Sequence, residues 1–201
     1  MGGDFFDWEA DGSRLAVTLA DAMGKGMGAA LVAATARAVL RPGRLQRSAE
    51  SLVGRAAAAL EPDLTKLSSF VTLMHWRLDG MAGEVEYVDA GHGLGILVHP
   101  DGLWERLGSS GPPLGLLPGA QWRGETVWVP PGAQLVAVSD GLLDAFDAAE
   151  PALDAVASAV HAAGSAREAV DAVLALAVHA EDDVTAVVLR RELALEGAMV
   201  A

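Results

Sequence analysis

Four acidic sites stand beside glycine or a second acid, where apolar runs give way to turns. They are Asp4 after Gly2-Gly3, Asp21 ahead of Ala-Met-Gly-Lys-Gly, Asp140 within Ser-Asp-Gly, and the pair Asp182-Asp183 before Val-Thr. Hard divalent cations such as Mg²⁺ and Mn²⁺ take carboxylate, carbonyl and water oxygens, and glycine lets backbone approach an ion without a side chain in the way. Brought together, these acids would make a metal site. Without a cation they would repel one another, and at least one would tend to hold a proton. Each also has a plainer reading. Asp4 suits a solvated turn near the terminus, Asp21 and Asp140 suit turns or helix caps, and Asp182 and Asp183 suit caps of a last strand. Only their conjunction points to chemistry.

Other chemistries fall away. The chain has no cysteine, which excludes disulfides, thiolate metal sites and cysteine nucleophiles and leads us to expect a cytoplasmic protein. No serine sits in a Gly-x-Ser-x-Gly elbow. Lys25 lies in Gly-Lys-Gly, but Gly26 stands where a phosphate-binding loop needs Ser or Thr, and Gly24-x-Gly-x-Gly is too short for a dinucleotide fingerprint. His92 in Ala-Gly-His-Gly reads as a loop histidine hydrogen-bonded to backbone. Phe5, Phe6, Trp8 and Trp104 read as core or interface residues.

The elements that must position the acids follow from periodicity. Residues 14–21 alternate as a strand ending at Asp21, and 27–40 read as a buried helix stopped by Pro42 and Gly43. Ser48 can cap a second helix to about Leu60, ended by Pro62. Residues 70–76 and 84–89 are β-prone about a turn at Asp79-Gly80, with further strands at 93–99, 124–129 and 134–139 and a loop over 108–119. Two helices at 151–160 and 166–179 precede a last strand at 184–189. Helix pairs between blocks of strands predict an α+β fold of layered sheets rather than an alternating parallel sheet.

Length and composition bound the rest. The chain has 201 residues, 52% hydrophobic and 20% charged, with a formal charge of -13. That suits one packed domain over 1–201, repels nucleic acid, and leaves no run of roughly 20 apolar residues to span a bilayer. The motifs begin at once after Met1, so an upstream segment is expected.

Taken in order, Gly2-Gly3-Asp4-Phe5-Phe6-Asp7, the run from Ala20 through Asp21-Ala22-Met23-Gly24-Lys25-Gly26 to Leu31, Ala90-Gly91-His92, Pro113-Leu114-Gly115-Leu116, Ser139-Asp140-Gly141 and Asp182-Asp183-Val184-Thr185 carry a resemblance. The sequence resembles the metal-dependent serine/threonine phosphatases of the PPM family, in the bacterial SpoIIE/RsbU branch of sporulation and sigma-factor regulators. The resemblance implies an αββα four-layer sandwich, two central antiparallel sheets flanked by helix pairs, with a cleft for two Mn²⁺ or Mg²⁺ ions. It implies that Asp21 bridges the ions, that the Ala22 carbonyl and Asp4 are ligands, and that Asp140 and Asp182 serve the other ion. Asp183 belongs to the same motif and is left between ligand and supporting residue.

Paired ions about 3.5–4 Å apart can activate a shared water for in-line attack on phosphorus, so hydrolysis of phosphoserine or phosphothreonine is expected. The implied substrate is a phosphorylated anti-sigma-factor antagonist of the STAS type. An upstream sensor or activating partner and homodimerisation are implied as controls. Two features depart from the family pattern: Ala20 replaces the usual glycine before Asp21, with Ala22-Met23 after it, and Met23 stands where some relatives carry a histidine; the sequence starts too late to show an arginine before Asp4. The alternatives are a degenerate regulatory interaction module without turnover and an unrelated hydrolase of small phosphoesters.

Overall fold

The computed structural model describes residues 2–79, 82–178 and 180–192. Gly80 of the expected turn and His179 of the expected helix lie outside these.

Two antiparallel sheets lie face to face. The first holds β1 (Asp4–Asp11), β2 (Arg14–Ala22), β3 (Val71–Asp79), β4 (Glu84–Ala90) and β7 (Glu125–Trp128) in the order β1-β2-β3-β4-β7. The second holds β5 (Gly95–Val98), β6 (Trp104–Arg106), β8 (Gln134–Val138) and β9 (Ala186–Arg190) in the order β6-β5-β8-β9. Helices α1 (Met27–Leu40) and α2 (Ala49–Leu67) cover the first sheet, and α3 (Ala149–Ala162) and α4 (Ala166–Ala175) cover the second. This is the expected α+β sandwich in four layers. Among the described residues no helix is long and apolar enough to cross a membrane.

Central strands are apolar on both faces because both are covered. Along β2, Val17 and Leu19 point between the sheets with Trp76, Leu97 and Leu135, while Ala20 and Ala22 lie beneath α1 and α2. On β8, Leu135 and Ala137 face the other sheet and Val136 and Val138 face α3 and α4. Small residues at Ala29, Ala33 and Ala36 let α1 sit close to the sheet, with Val32 and Leu40 on the same stripe. Phe5 and Trp104 pack against core clusters as expected, whereas Phe6 and Trp8 on β1 are exposed.

Two expectations need correction. Helix α2 does not stop before Pro62 but continues to Leu67. Ser48 caps it by accepting from the Ser51 N–H at 3.2 Å. Leu60 and Leu64, four apart and buried, carry the helix through the proline. Pro62 itself lies on the exposed face, as does Ala58 one turn earlier, where a carbonyl left without its N–H partner can be solvated. Helix α4 ends at Ala175, before the expected 179. The sequence reading also passed over β1 and the three-residue β6.

Candidate metal centre

The acids meet because strand register brings their ends together. Asp4 opens β1 and pairs directly with Asp21, next to last on β2. Asp140 follows β8 and begins a 3-10 helix, Asp140–Ala145, rather than a simple turn. Asp182 and Asp183 precede β9, whose first residue pairs with the last of β8. The same end of both sheets thus carries all five acids.

Carboxylate oxygens of Asp4, Asp21 and Asp140 lie within 4.8 Å of one another. The Thr185 hydroxyl donates to Asp4 Oδ2 at 2.9 Å and ties the first strand of one sheet to the loop before the last strand of the other. Ser139 joins that tie, because its hydroxyl accepts from the Thr185 N–H at 2.9 Å. Asp182 and Asp183 line the same cleft, of about 290 Å³, but do not join the three-acid cluster. Asp182 Oδ2 is 2.9 Å from Lys25 Nζ, and Asp183 Oδ2 accepts from the Gly2 N–H at 2.6 Å.

The electrostatics follow from this crowding. Burial, then the charges of Asp4 and Asp140, push the Asp21 carboxyl up to about 7. Asp4 is also raised, chiefly by burial, against the lowering effect of hydrogen bonds from Ser139 and Thr185. Asp182 is lowered, first by its hydrogen bond with Lys25.

Residues around the acids keep backbone close. A Cβ on Gly3 would lie 2.0 Å from the Ala22 carbonyl oxygen and 2.6 Å from Asp21 Oδ1. The Ala22 carbonyl therefore sits beside the Asp21 carboxylate with only glycine against it. On the other sheet, a Cβ on Gly141 would fall 2.2 Å from the Asp183 carbonyl oxygen. An all-oxygen set of crowded carboxylates, two of them with raised pKa values, fits a hard divalent cation.

The sequence reading missed four supporting residues. Thr185 and Ser139 were visible in their motifs, yet nothing in spacing marks them as the inter-sheet tie. Asp144 accepts from the Glu181 and Asp182 N–H groups at 3.1 and 3.2 Å and so shapes the last acidic loop. Asp89, fully buried, accepts from the His92 and Gly93 N–H groups, both at 2.8 Å. Burial raises its carboxyl to about 6, and the bonds hold the loop beside the cleft. His92 lines the cleft too; burial holds it neutral, at about 4, against a bond with the Val138 backbone.

Comparison with known proteins gives the architecture a context. Protein IcfG of Synechocystis sp. is 28% identical over 173 residues, covering 72% of this chain and 27% of that protein. The RsbU and RsbW domains of Rv1364c from Mycobacterium tuberculosis match with a TM-score of 0.82 at 25% identity, over 96% of this chain and 57% of that one. The catalytic domain of the serine/threonine protein phosphatase PstP, solved in complex with 2 manganese ions, has the same fold at a TM-score of 0.69 and 18% identity, over 94% of this chain and 90% of that one. This chain thus spans about a quarter of IcfG and just over half of the Rv1364c chain. The family model described as stage II sporulation protein E (SpoIIE) matches residues 11–192, nearly the whole length, and the chain belongs to the SpoIIE family.

Proposed function

We propose that this domain is a Mn²⁺- or Mg²⁺-dependent protein phosphatase that hydrolyses phosphoserine or phosphothreonine. The observation that carries the proposal is the convergence of Asp4, Asp21 and Asp140 from both sheets to within 4.8 Å. Family membership and a fold shared with PstP support it.

Asp4, Asp21 and Asp140, with Asp182 and the Ala22 carbonyl, would hold the two ions. Bound there, the ions would supply positive charge and a water acidified towards neutrality. The chain's own residues prepare the site. Thr185 and Ser139 fix Asp4, so its lone pairs are aimed before any ligand arrives. Asp144 and the Gly2 N–H orient the loop of Asp182 and Asp183. Met23 lines the cleft and has no proton to give to a leaving group.

The substrate we favour is a phosphorylated STAS-type anti-sigma-factor antagonist in the cytoplasm, a choice supported by likeness to an RsbU domain that shares a chain with RsbW. Control by an upstream sensor or a partner, including dimerisation, accords with the small share of IcfG that this domain represents. The test pairs manganese calorimetry with hydrolysis of a phosphoserine peptide. Metal-dependent turnover that is lost in Asp140→Asn, with the fold intact by circular dichroism, is the expected result. Full turnover in that variant would overturn the proposal, and a wild type that binds no metal would favour an interaction module instead.

A further inference from the structure

The cleft contains a charge that the metal ligands do not explain. Lys25 is the one basic lysine or arginine among its lining residues, against the carboxylates of Asp4, Asp21, Asp140, Asp182 and Asp183. Its ammonium lies 2.9 Å from Asp182 Oδ2, with the two side chains 68% and 40% exposed. An ion pair this open to water contributes little to folding and exchanges readily. Stability does not account for it.

Its setting favours movement. Lys25 stands between Gly24 and Gly26, whose φ values of +98° and +81° lie in the left-handed region, and no heavy atom would lie within 4 Å of a Cβ at either. The loop is therefore unpacked on both sides of the lysine. A four-carbon stem gives the ammonium a wide arc, and its three donors suit a tetrahedral oxyanion.

Charge then decides the partner. A phosphoryl group entering a cleft of five carboxylates, on a chain of formal charge -13, meets repulsion from every acid not neutralised. Two divalent cations would offset four of those five charges, and Lys25 offsets the fifth. We infer that Lys25 is the substrate-phosphate residue of this cleft: held on Asp182 while the cleft is empty, it transfers to the phosphoryl oxygens of the incoming phosphoprotein. This assignment rests on the phosphatase reading and adds to it a side chain of the cleft that receives the phosphate.

The experiment measures inorganic phosphate binding in magnesium by ³¹P line broadening, for the wild type, Lys25→Gln and Lys25→Arg. Magnesium calorimetry and steady-state kinetics on a phosphoserine peptide accompany it. Losing one charge-assisted contact should weaken phosphate binding in Lys25→Gln roughly tenfold and raise KM similarly, with kcat little changed. Lys25→Arg should restore most of the loss, and magnesium should bind Lys25→Gln as well as or better than the wild type. If the wild type hydrolyses the peptide while Lys25→Gln keeps its phosphate affinity and KM, the Lys25 assignment fails alone. A wild type that binds neither magnesium nor phosphate would overturn the phosphatase reading and this one with it.

Discussion

Asp4 and Asp21 are direct register partners across the β1–β2 hairpin. Their closeness is a property of strand pairing: a slip of one residue would turn one of the two carboxylates to the opposite face. The tension between them is thus built into the sheet, and several measurable consequences follow from it and from the contacts around it.

Asp21 binds its proton more tightly folded, at about 7, than in an unfolded chain, where the ordinary value is 3.8. The folded state is therefore favoured by this group at low pH, and that advantage declines as pH rises from about 4 to 7. Asp21→Asn removes the effect. In chelator, the variant should melt above the wild type at pH 8, and the gap should narrow towards pH 5. A gap independent of pH by differential scanning calorimetry would contradict the crowding of the three acids.

Gly141→Ala should disturb the last acidic loop with little effect elsewhere, because its Cβ would press on the Asp183 carbonyl oxygen. Manganese affinity should fall by roughly 10- to 100-fold, the usual scale for losing a supporting contact at a metal site. Calorimetry measures this directly, and wild-type affinity in the variant would remove the loop from the site.

Asp7 joins β1 to α1 and its exit. Arg37 Nε and Arg41 Nε donate to its Oδ2 at 3.0 and 2.8 Å, and Arg44 Nη1 lies 3.4 Å away. These partners hold the buried carboxyl well below the usual range despite the opposing cost of burial. A depressed carboxyl stabilises the fold above its unfolded pKa and loses that contribution as pH falls below about 4. Asp7→Asn should cost about 2 kcal/mol at pH 7 in urea unfolding, and less near pH 3.

Thr18 Oγ1 and His75 Nδ1, register partners on the helix-covered face of the first sheet, are 2.8 Å apart and both buried. Burial lowers the His75 pKa to about 3, so its neutral form stabilises the fold above about 6.5 and the contribution shrinks as pH falls towards 3. Thr18→Val leaves the imidazole nitrogen without its partner and should destabilise by about 1–3 kcal/mol at pH 7. Equal urea midpoints would show that the bond contributes nothing.

How much of this was legible without coordinates depends on the length of the pattern. Helix 27–40 and the strand ending at Asp21 were readable because each buries an uninterrupted stripe or alternation. Pro62 misled, since a local breaker was overruled by the buried pair Leu60 and Leu64. Strand β1 was hidden by Asp4, Asp7, Glu9 and Asp11, which make an edge strand look like a polar turn. The three-acid cluster was legible as a motif set, and Lys25 was dismissed because its local pattern matched no nucleotide loop. Its partner Asp182 lies far along the chain, and such pairings appear in three dimensions only.

The bond from Thr185 to Asp4 spans 181 positions of sequence. During synthesis the first strand leaves the ribosome long before the last, so the pocket is finished only when nearly the whole domain is available. A nascent or truncated domain that stops before Thr185 would carry most of the acids yet lack the hydroxyl that fixes Asp4 across the two sheets, which ties assembly of the site to completion of the domain.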